Sequence, residues 1–246
     1  MAGQELLQDF RCIENLQITA KGVGDFVSSA DKKSEHTLIE GLKQLYPDYN
    51  FLCEESGHLP GGSQTHRWII DPLDATKNFI HGIPIFAISV ALEVKGEIVL
   101  GIIYSPITGE VFYAEKGAGA FCNDQKISVS PHMEIKNSFV SAGSIYGRRC
   151  NSRDFEKFYK GIVPLASGTR HFACAALELC YVAAGRYEVF FEMGLSYWDI
   201  AAGALLVQEA GGKVFDFQGG EGYFITGDII ASNAHLFLEL HHIICE

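Results

Sequence analysis

Apolar residues in the first half of the chain predict one or two helices followed by many strands. Leucine and isoleucine recur at helical spacing from Leu38 to Leu45, and Pro47 ends that helix. Short apolar runs predict strands at 50–53, 67–70, 111–115 and 120–122, and the runs at 85–94 and 97–104 predict a hairpin that turns at Lys95 and Gly96.

The second half alternates between helices and strands. The pattern predicts helices at 153–160, 173–184 and 197–210, strands at 138–142, 187–191, 213–217 and 228–232, and a last helix that Asn233 caps and that reaches Ile244. Both halves need helices against sheets, so the fold class is mixed α and β, written α/β or α+β. Because the least patterned join lies at Ser130–Pro131, we predict an N-terminal α+β half (1–130) and a C-terminal α/β half (131–246), packed as one compact unit.

The composition is typical of a globular chain in a reducing compartment. Of the 246 residues, 48% are hydrophobic and 20% are charged. No apolar run approaches the roughly 18 residues that span a bilayer, and the start of the chain lacks the pattern of a secretory signal. The seven cysteines include no Cys-x-x-Cys pair, which favours reduced thiols in the cytoplasm over a disulfide framework or a thiolate zinc site.

The net charge of −11 disfavours direct binding to nucleic acid or to anionic lipid. Clustered carboxylates could instead hold divalent cations, which could attract an anion. For charge alone, a solvated acidic surface is the simpler explanation.

The segment Trp-Ile-Ile-Asp-Pro-Leu-Asp-Ala-Thr-Lys-Asn-Phe at 68–79 has the sharpest pattern in the chain. A hydrophobic strand ends at Asp71, proline is expected to break the strand there, and Asp74 follows three residues later. A helix that starts at Asp74 or Thr76 would offer the N–H groups of Ala75 and Thr76 to a phosphate. Two crowded carboxylates repel unless a cation lies between them, and Mg²⁺ prefers oxygen ligands. The alternative is that both acids are turn and N-cap residues.

Other acids also lie at the ends of predicted elements. Glu54 and Glu55 follow a strand, and Glu192 ends another. Asp199 lies in the first turn of a helix, where the helix dipole favours an anion, and Asp31 lies at the start of an earlier helix. Each of them singly fits a cap or an exposed acid. Their recurrence favours a joint metal site.

Two other phosphate chemistries do not fit the spacing. Haloacid-dehalogenase-type phosphatases need two aspartates in the pattern Asp-x-Asp, whereas Asp71 and Asp74 are three positions apart with a proline between them. The chain also lacks the Gly-x-x-x-x-Gly-Lys-Ser/Thr motif of a P-loop.

Six motifs run in order along most of the chain. They are Gly-Asp-Phe-Val-Ser-Ser-Ala-Asp at 24–31, Cys-Glu-Glu-Ser at 53–56, the segment at 68–79, Phe-Phe-Glu-Met-Gly at 190–194, Tyr-Trp-Asp-Ile-Ala-Ala-Gly at 197–203 and Glu-Ala-Gly-Gly at 209–212. Together they resemble the inositol monophosphatase family, including its bacterial SuhB-type members. The resemblance implies a layered α–β–α–β–α sandwich and a Mg²⁺-dependent hydrolase of phosphate monoesters.

The resemblance also implies a set of metal ligands. Glu54, Asp71 and the carbonyl of Leu73 would hold one Mg²⁺. Asp71, Asp74 and Asp199 would hold a second, and a third, weaker ion would share Glu54 through water.

The implied catalytic residues are Glu54, Thr76 and Asp31. Thr76 and Glu54 would orient the attacking water, and Asp31 would hold the Thr76 hydroxyl. The implied substrate-binding residues are Asp74, Ala75, Thr76 and Glu192. Of these, Ala75 and Thr76 would bind phosphate through their N–H groups, and Glu192 would bind the hydroxyls of a polyol.

Inositol 1-phosphate is the leading substrate that the resemblance implies. Fructose 1,6-bisphosphate, other sugar phosphates and phosphoadenosine phosphate are alternatives. The sequence does not rank these substrates, because the shape of the pocket depends on loops such as 143–153 and 165–172. Family members are commonly homodimers and are inhibited by Li⁺. A different class of function is a regulatory role through protein binding in RNA-related complexes, which need not use the phosphatase site.

The chain departs from the family pattern at three places. Ala75 and Ala173 stand where glycine is usual. At Ala75 the N–H is kept, and because helical φ tolerates a methyl group, phosphate binding should persist if the backbone there is α-like. The leading helix of family members is usually longer than the stretch from Gln4 to Asn15 allows.

Overall fold

Two sheets, one of eight strands and one of five, organise the computed structural model, which describes residues 1–22, 25–144 and 152–245. The strands are β1 (Ile18–Gly22), β2 (Asp25–Ser28), β3 (Asn50–Cys53), β4 (Gly57–Leu59), β5 (His66–Asp74), β6 (Ala87–Val94), β7 (Glu97–Ser105), β8 (Glu110–Glu115), β9 (Gly119–Cys122), β10 (Gln125–Ile127), β11 (Phe139–Ala142), β12 (Gly168–Arg170), β13 (Val189–Glu192), β14 (Lys213–Phe215) and β15 (Ile229–Ser232). The helices are α1 (Ala2–Phe10), α2 (Ser29–Leu45), α3 (Thr76–Ile80), α4 (Ser152–Ile162), α5 (Ala175–Ala183), α6 (Tyr197–Glu209), α7 (Tyr223–Thr226) and α8 (Phe237–Cys245).

The strand orders place β5 in the larger sheet and β13 in the smaller one. The larger sheet has the order β10-β9-β8-β7-β6-β5-β3-β4 and is antiparallel except where β3 runs parallel to β5. The smaller sheet has the order β12-β11-β13-β15-β14, with β11 parallel to both of its neighbours. Strands β1 and β2 form a separate antiparallel pair.

The helices form three layers around the two sheets. Helices α1 and α2 pack on one face of the larger sheet, with Leu6 and Ile39 buried against Trp68 of β5 in one apolar cluster. Helices α5 and α6 contact strands of both sheets. Helices α4 and α8 cover the far face of the smaller sheet, where Phe155 and Leu240 are buried. This arrangement confirms the mixed α and β class and the layered α–β–α–β–α sandwich.

Small residues bring α6 close to its neighbours on both sides. A Cβ on Gly101 of β7 would lie 2.8 Å from the carbonyl oxygen of Ala202 in α6, and a Cβ on Gly203 would lie 2.5 Å from Leu179 in α5. The alanine- and glycine-rich pattern of α6 is therefore what lets one helix pack tightly against both a sheet and a second helix.

The predicted hairpin is confirmed, and the predicted end of the central strand is wrong. Lys95 and Gly96 both have positive φ, as a two-residue hairpin turn requires. Strand β5 does not stop at Asp71 but continues to Asp74. The pairing with β6 shifts register between Asp71 and Asp74, and this irregularity accommodates a proline that has no N–H to donate.

Short elements and one loop also differ from the expectation. The pattern did not predict β4 or β10, each of three residues, and β12 lies inside the predicted loop at 165–172. The helix expected from 173 begins at Ala175. Most of the predicted loop at 143–153 lies outside the described residues. Within the part of the chain that the structure describes, none of the helices has the length and apolar character to cross a membrane.

Candidate active site

A cleft of about 460 Å³ opens at the end of β5 and is lined by predicted site residues from both halves of the sequence. The predicted residues in its lining are Glu54, Asp71, Leu73, Asp74, Ala75, Thr76, Glu192 and Asp199. Asp31 is fully buried and reaches this cleft only through Thr76. The structure therefore brings together residues that lie more than 160 positions apart in the chain.

Three elements position the acids of the cleft. Asp71 and Asp74 belong to β5, and the N–H of Glu54, just after the parallel strand β3, donates to the carbonyl of Ile70 at 3.1 Å. Asp199 is the third residue of α6, where its carboxylate accepts from the N–H of Ser196 at 2.7 Å in a capping box. Asp199 thus caps its own helix and faces the cleft as well, so the cap interpretation and the metal interpretation do not exclude each other.

Asp74 is held in place from the other side of the cleft. Its Oδ2 accepts from the N–H of Ala176 at 2.7 Å and lies 3.2 Å from the thiol of Cys174. Both donors come from the start of α5. The sequence analysis assigned no role to Cys174 or Ala176, and only the structure shows that they orient Asp74.

The carboxyl groups of the cleft perturb one another. Burial raises the pKa of Asp71 well above its ordinary value, and the charges of Glu54, Asp74 and Asp199 and a hydrogen bond with Glu54 raise it further. Burial also raises the pKa of Asp74 to about 7, against the lowering effect of its hydrogen bond from Ala176. Acids in this arrangement need either protons or a cation to relieve their repulsion.

Thr76 links the cleft to a buried acid. Its hydroxyl donates to Asp31 at 2.7 Å and lies 3.1 Å from the carbonyl oxygen of Leu73. The other oxygen of Asp31 accepts from the N–H and the hydroxyl of Ser28 at 2.8 and 2.6 Å. With the hydroxyl proton directed at Asp31, the lone pairs of the Thr76 oxygen are oriented away from it.

The backbone at Ala75 does not meet the condition of an α-like conformation. Ala75 has φ 73° and ψ 45°, the left-handed conformation, and its carbonyl accepts from the N–H of Phe79 in the short helix α3. A left-handed residue at this point turns the chain abruptly from β5 into α3. Ala173, the other alanine where the family usually has glycine, has φ 54°.

Glu192 is the last residue of β13 and lines the cleft. Burial raises its pKa to about 8, and the nearby charge of Glu178 raises it while a hydrogen bond from the backbone of Ser144 lowers it. Glu178 in α5 is itself buried, and burial raises its pKa to about 7. Sequence reasoning missed Glu178 and the nearby His171, because an acid inside an apolar helix and a histidine in a loop carry no motif of their own.

Comparison with known proteins decides which family this is. A model of the inositol monophosphatase family matches residues 1–245. The chain belongs to the inositol monophosphatase family. Among its relatives, the inositol-1-monophosphatase of Mesorhizobium japonicum is 45% identical over 94% of this chain and 87% of the relative. The Nus factor SuhB of Pasteurella multocida is 38% identical over 97% of this chain and 90% of the relative.

A solved structure of the family has the same fold. The crystal structure of the extragenic suppressor protein suhB from Bartonella henselae matches with a TM-score of 0.95 and 43% identity, covering 99% of this chain and 93% of that one. The resemblance drawn from the six motifs is therefore confirmed for this member of the inositol monophosphatase family, in sequence and in architecture.

The residues present fit the Mg²⁺ that membership of the inositol monophosphatase family implies. The donor set at the end of β5 consists of four carboxylates and the carbonyl of Leu73, all of them oxygen ligands. Burial and neighbouring acids raise the pKa of Asp71 and Asp74, and a bound cation would relieve the repulsion among these carboxylates.

Proposed function

We propose that this chain is a Mg²⁺-dependent phosphate monoester hydrolase that acts on inositol 1-phosphate or a related polyol or sugar phosphate. The observation that carries the proposal is the convergence, in one cleft, of four acids with the hydrogen-bonded pair of Thr76 and Asp31. The oxygen ligands can bind metal ions that activate water, and the hydroxyl of Thr76 can orient that water. This arrangement favours direct hydrolysis by water without a covalent enzyme intermediate.

The ligands divide into two sets that share one acid. Glu54, Asp71 and the carbonyl of Leu73 would hold one Mg²⁺, and Asp71, Asp74 and Asp199 a second. A third ion would be held more weakly through Glu54. Bound Mg²⁺ supplies charge that neutralises the phosphate, acidifies water and stabilises the leaving alkoxide.

Thr76 and Glu54 would orient the water that attacks phosphorus. Since Thr76 donates its own proton to Asp31, its oxygen accepts a hydrogen bond from that water and directs the water's lone pair toward phosphorus. A proton lost from the water can then pass toward the Thr76 oxygen as the Thr76 proton moves toward Asp31. Asp31 keeps its position because Ser28 holds its second oxygen.

The substrate would be bound at both of its ends. The N–H groups of Ala75 and Thr76, at the start of α3, would contact the phosphate oxygens. Glu192 and Asp74 would accept hydrogen bonds from the hydroxyls of the polyol. Because Glu192 is half-buried and lines the cleft, hydroxyls must enter the cleft to reach it.

A turnover panel of phosphate monoesters with Mg²⁺ tests the proposal. We expect hydrolysis of inositol 1-phosphate, with fructose 1,6-bisphosphate, other sugar phosphates and phosphoadenosine phosphate as the competing substrates. Asp74→Asn weakens a metal ligand and should abolish most of the turnover while the fold survives, because it relieves repulsion.

Thr76→Val separates catalysis from structure. Loss of the hydroxyl should lower kcat/KM by about 10²–10⁴-fold, which is the usual contribution of a group that positions or transfers a proton. Thr76→Ser keeps the hydroxyl and is the matched control, so it should retain most of the activity. If Thr76→Val has the turnover of the wild type, or if it loses its fold, the assigned role is wrong.

We further propose a cytoplasmic homodimer that is inhibited by Li⁺. A monovalent-salt series with K⁺ as control tests inhibition, and light scattering of the purified chain tests the dimer. Inhibition equal in Li⁺ and K⁺, or a monomer at micromolar concentration, would contradict these two points.

A second candidate follows from the relative named Nus factor SuhB. In that case the chain would act as a regulatory protein in an RNA-related complex, and the net charge of −11 favours contact through protein rather than through RNA. This candidate gains weight if the purified chain binds Mg²⁺ and hydrolyses none of the panel.

A further inference from the structure

A second group of metal-ligating side chains lies beside the acid cluster. His171, Glu178 and Glu192 each offer one ligand atom, and these three atoms lie within 4.8 Å of one another. His171 and Glu192 also line the cleft, whereas Glu178 lies behind them in α5. None of the three belongs to the set assigned above to Mg²⁺.

Glu178 has an unsatisfied oxygen. Its side chain is fully buried, and its Oε1 accepts from the hydroxyl of Ser141 at 2.6 Å and from the N–H of Phe172 at 2.7 Å. Its Oε2 has no hydrogen-bond partner in the described part of the chain. Leaving a buried carboxylate oxygen unpaired is costly, so Oε2 of Glu178, which is a member of the group with Glu192 and His171, needs either a proton or a cation as its partner.

The hydrogen bonds to Oε1 fix the direction of this carboxylate. Ser141 belongs to β11 and Phe172 to the loop before α5, so two different elements hold Glu178 in one orientation. Glu192 is likewise constrained, because its side chain packs directly against Gly143, where a Cβ would overlap it. Both acids are therefore constrained by their neighbours, whereas His171 is the exposed member of the group.

We propose that His171, Glu178 and Glu192 form a site for one divalent cation of the zinc class. One imidazole nitrogen with two carboxylates suits Zn²⁺, whereas Mg²⁺ and Ca²⁺ prefer oxygen alone. The three ligand atoms lie within 4.8 Å of one another, and two atoms at about 2.1 Å from one ion are at most about 4.2 Å apart, so side-chain shifts of under about 1 Å would bring them within reach of one ion.

The electrostatics of the group agree with this geometry. The pKa of Glu178 is raised to about 7 and that of Glu192 to about 8, chiefly by burial, and the charge of Glu178 raises the pKa of Glu192 further. Burial lowers the pKa of His171, so its ring nitrogen is neutral and available as a ligand near neutral pH.

Occupancy of this site would regulate the phosphatase, a consequence that rests on the proposed function. Glu192 is the residue proposed to bind the substrate hydroxyls, and a Zn²⁺ held by its carboxylate would compete with them. Zn²⁺ should therefore raise KM for inositol 1-phosphate more than it lowers kcat.

Binding is measured on the full chain by calorimetry with Zn²⁺ as the probe, in saturating Mg²⁺, and by the visible absorption of Co²⁺ as a second probe. We expect one His171-dependent Zn²⁺ per chain. His171→Ala should weaken it at least about tenfold, since even residues that only orient a metal ligand contribute about 10–100-fold. Glu178→Gln should weaken it similarly. The matched control is His58→Gln, which changes an exposed histidine on β4 and should bind like the wild type.

Two variants, His171→Ala and Glu178→Gln, test the Zn²⁺ site independently. If Glu178→Gln fails to fold, His171→Ala still tests the site, because His171 is exposed. Equal Zn²⁺ affinity in the wild type and in His171→Ala would overturn the proposal, as would binding that is lost only in Asp74→Asn, which would place Zn²⁺ on the acid cluster. Failure of the proposed phosphatase function can be distinguished from failure of the Zn²⁺ site. A chain that hydrolyses no phosphate monoester still gives a Zn²⁺-binding isotherm in calorimetry.

Discussion

Two alanines occupy backbone conformations in which glycine is the usual residue. Ala75 and Ala173 have φ of 73° and 54°. In this region the Cβ of an L-residue approaches the following carbonyl oxygen, at a cost of roughly 1–2 kcal/mol. Both alanines line the cleft, so this chain carries backbone strain at the site itself. The methyl of Ala75 also packs against two apolar clusters, which offsets part of that strain, whereas Ala173 is exposed.

Ala173→Gly should therefore stabilise the protein. We expect the free energy of unfolding to rise by up to about 1 kcal/mol, because the removal of left-handed strain exceeds the extra freedom that glycine gives to the unfolded chain. Chemical denaturation of the metal-free protein measures the change.

The matched control is Ala118→Gly. Ala118 is also exposed but does not have a positive φ, so glycine there should lower the free energy of unfolding by about 0.4–1 kcal/mol. Destabilisation of the same size by both variants would show that Ala173 carries no strain.

At the scale of elements, the position of Asp199 depends on how closely α6 approaches the larger sheet. The residues that set this distance are Gly101 in β7 and Ala202 in α6. Since Asp199 lies one turn before Ala202 on the same helix, a displaced α6 would also displace a ligand of the acid cluster.

Gly101→Ala tests this dependence. A Cβ would lie 2.8 Å from the carbonyl oxygen and 3.0 Å from the Cα of Ala202, both backbone atoms that cannot rotate away. Overpacking of this kind costs about 1–3 kcal/mol, and we expect turnover to fall as well because α6 moves.

Gly41→Ala is the control for the same chemical change. Gly41 lies on the exposed side of α2 with nothing within 4 Å of its Cβ position. Alanine there should stabilise the helix by about 0.5–1 kcal/mol and leave turnover unchanged. An unchanged melting temperature for Gly101→Ala would mean that the contact between α6 and the sheet is looser than the structure indicates.

At the scale of the whole molecule, acids from three regions of the chain share one cleft and make stability depend on pH and on metal. Without metal, burial raises the pKa of Asp74 and Glu178 to about 7 and that of Glu192 to about 8, with like charge contributing at Asp74 and Glu192. The folded state then binds protons more tightly than the unfolded chain, whose acids titrate near pH 4. The free energy of unfolding therefore falls as the pH rises from about 4 to about 8.

Mg²⁺ should reverse this loss. It binds the folded acid cluster, and at a hundred times its dissociation constant it would stabilise the fold by about 2.7 kcal/mol. We expect Mg²⁺ to raise the melting temperature more at pH 8 than at pH 5.5, where protons compete with it. Calorimetry in EDTA and in Mg²⁺ at both pH values measures the effect, with K⁺ at equal ionic strength as control. A melting temperature that is independent of both pH and Mg²⁺ would argue against an assembled site.

Much of the fold and of the candidate site follows from local patterns in the sequence. Helix α2, the hairpin at Lys95–Gly96 and the acid-rich segment at 68–79 are determined by residues within one or two turns of one another, so periodicity and turn chemistry predict them. The six motifs also identify the family, because their order and spacing are specific. The predicted division into residues 1–130 and 131–246 remains a prediction, since it depends on how the elements of the two halves pack against one another.

Only the tertiary structure decided which distant groups meet. Cys174 and Ala176 orient Asp74 across about a hundred positions, and Glu178 meets Glu192 only because α5 lies against β13. The left-handed backbone of Ala75 was equally hidden, because alanine by itself favours a helix. Such contacts depend on strand order and on the distance between layers, and these are set by packing over the whole molecule rather than by any stretch of neighbouring residues.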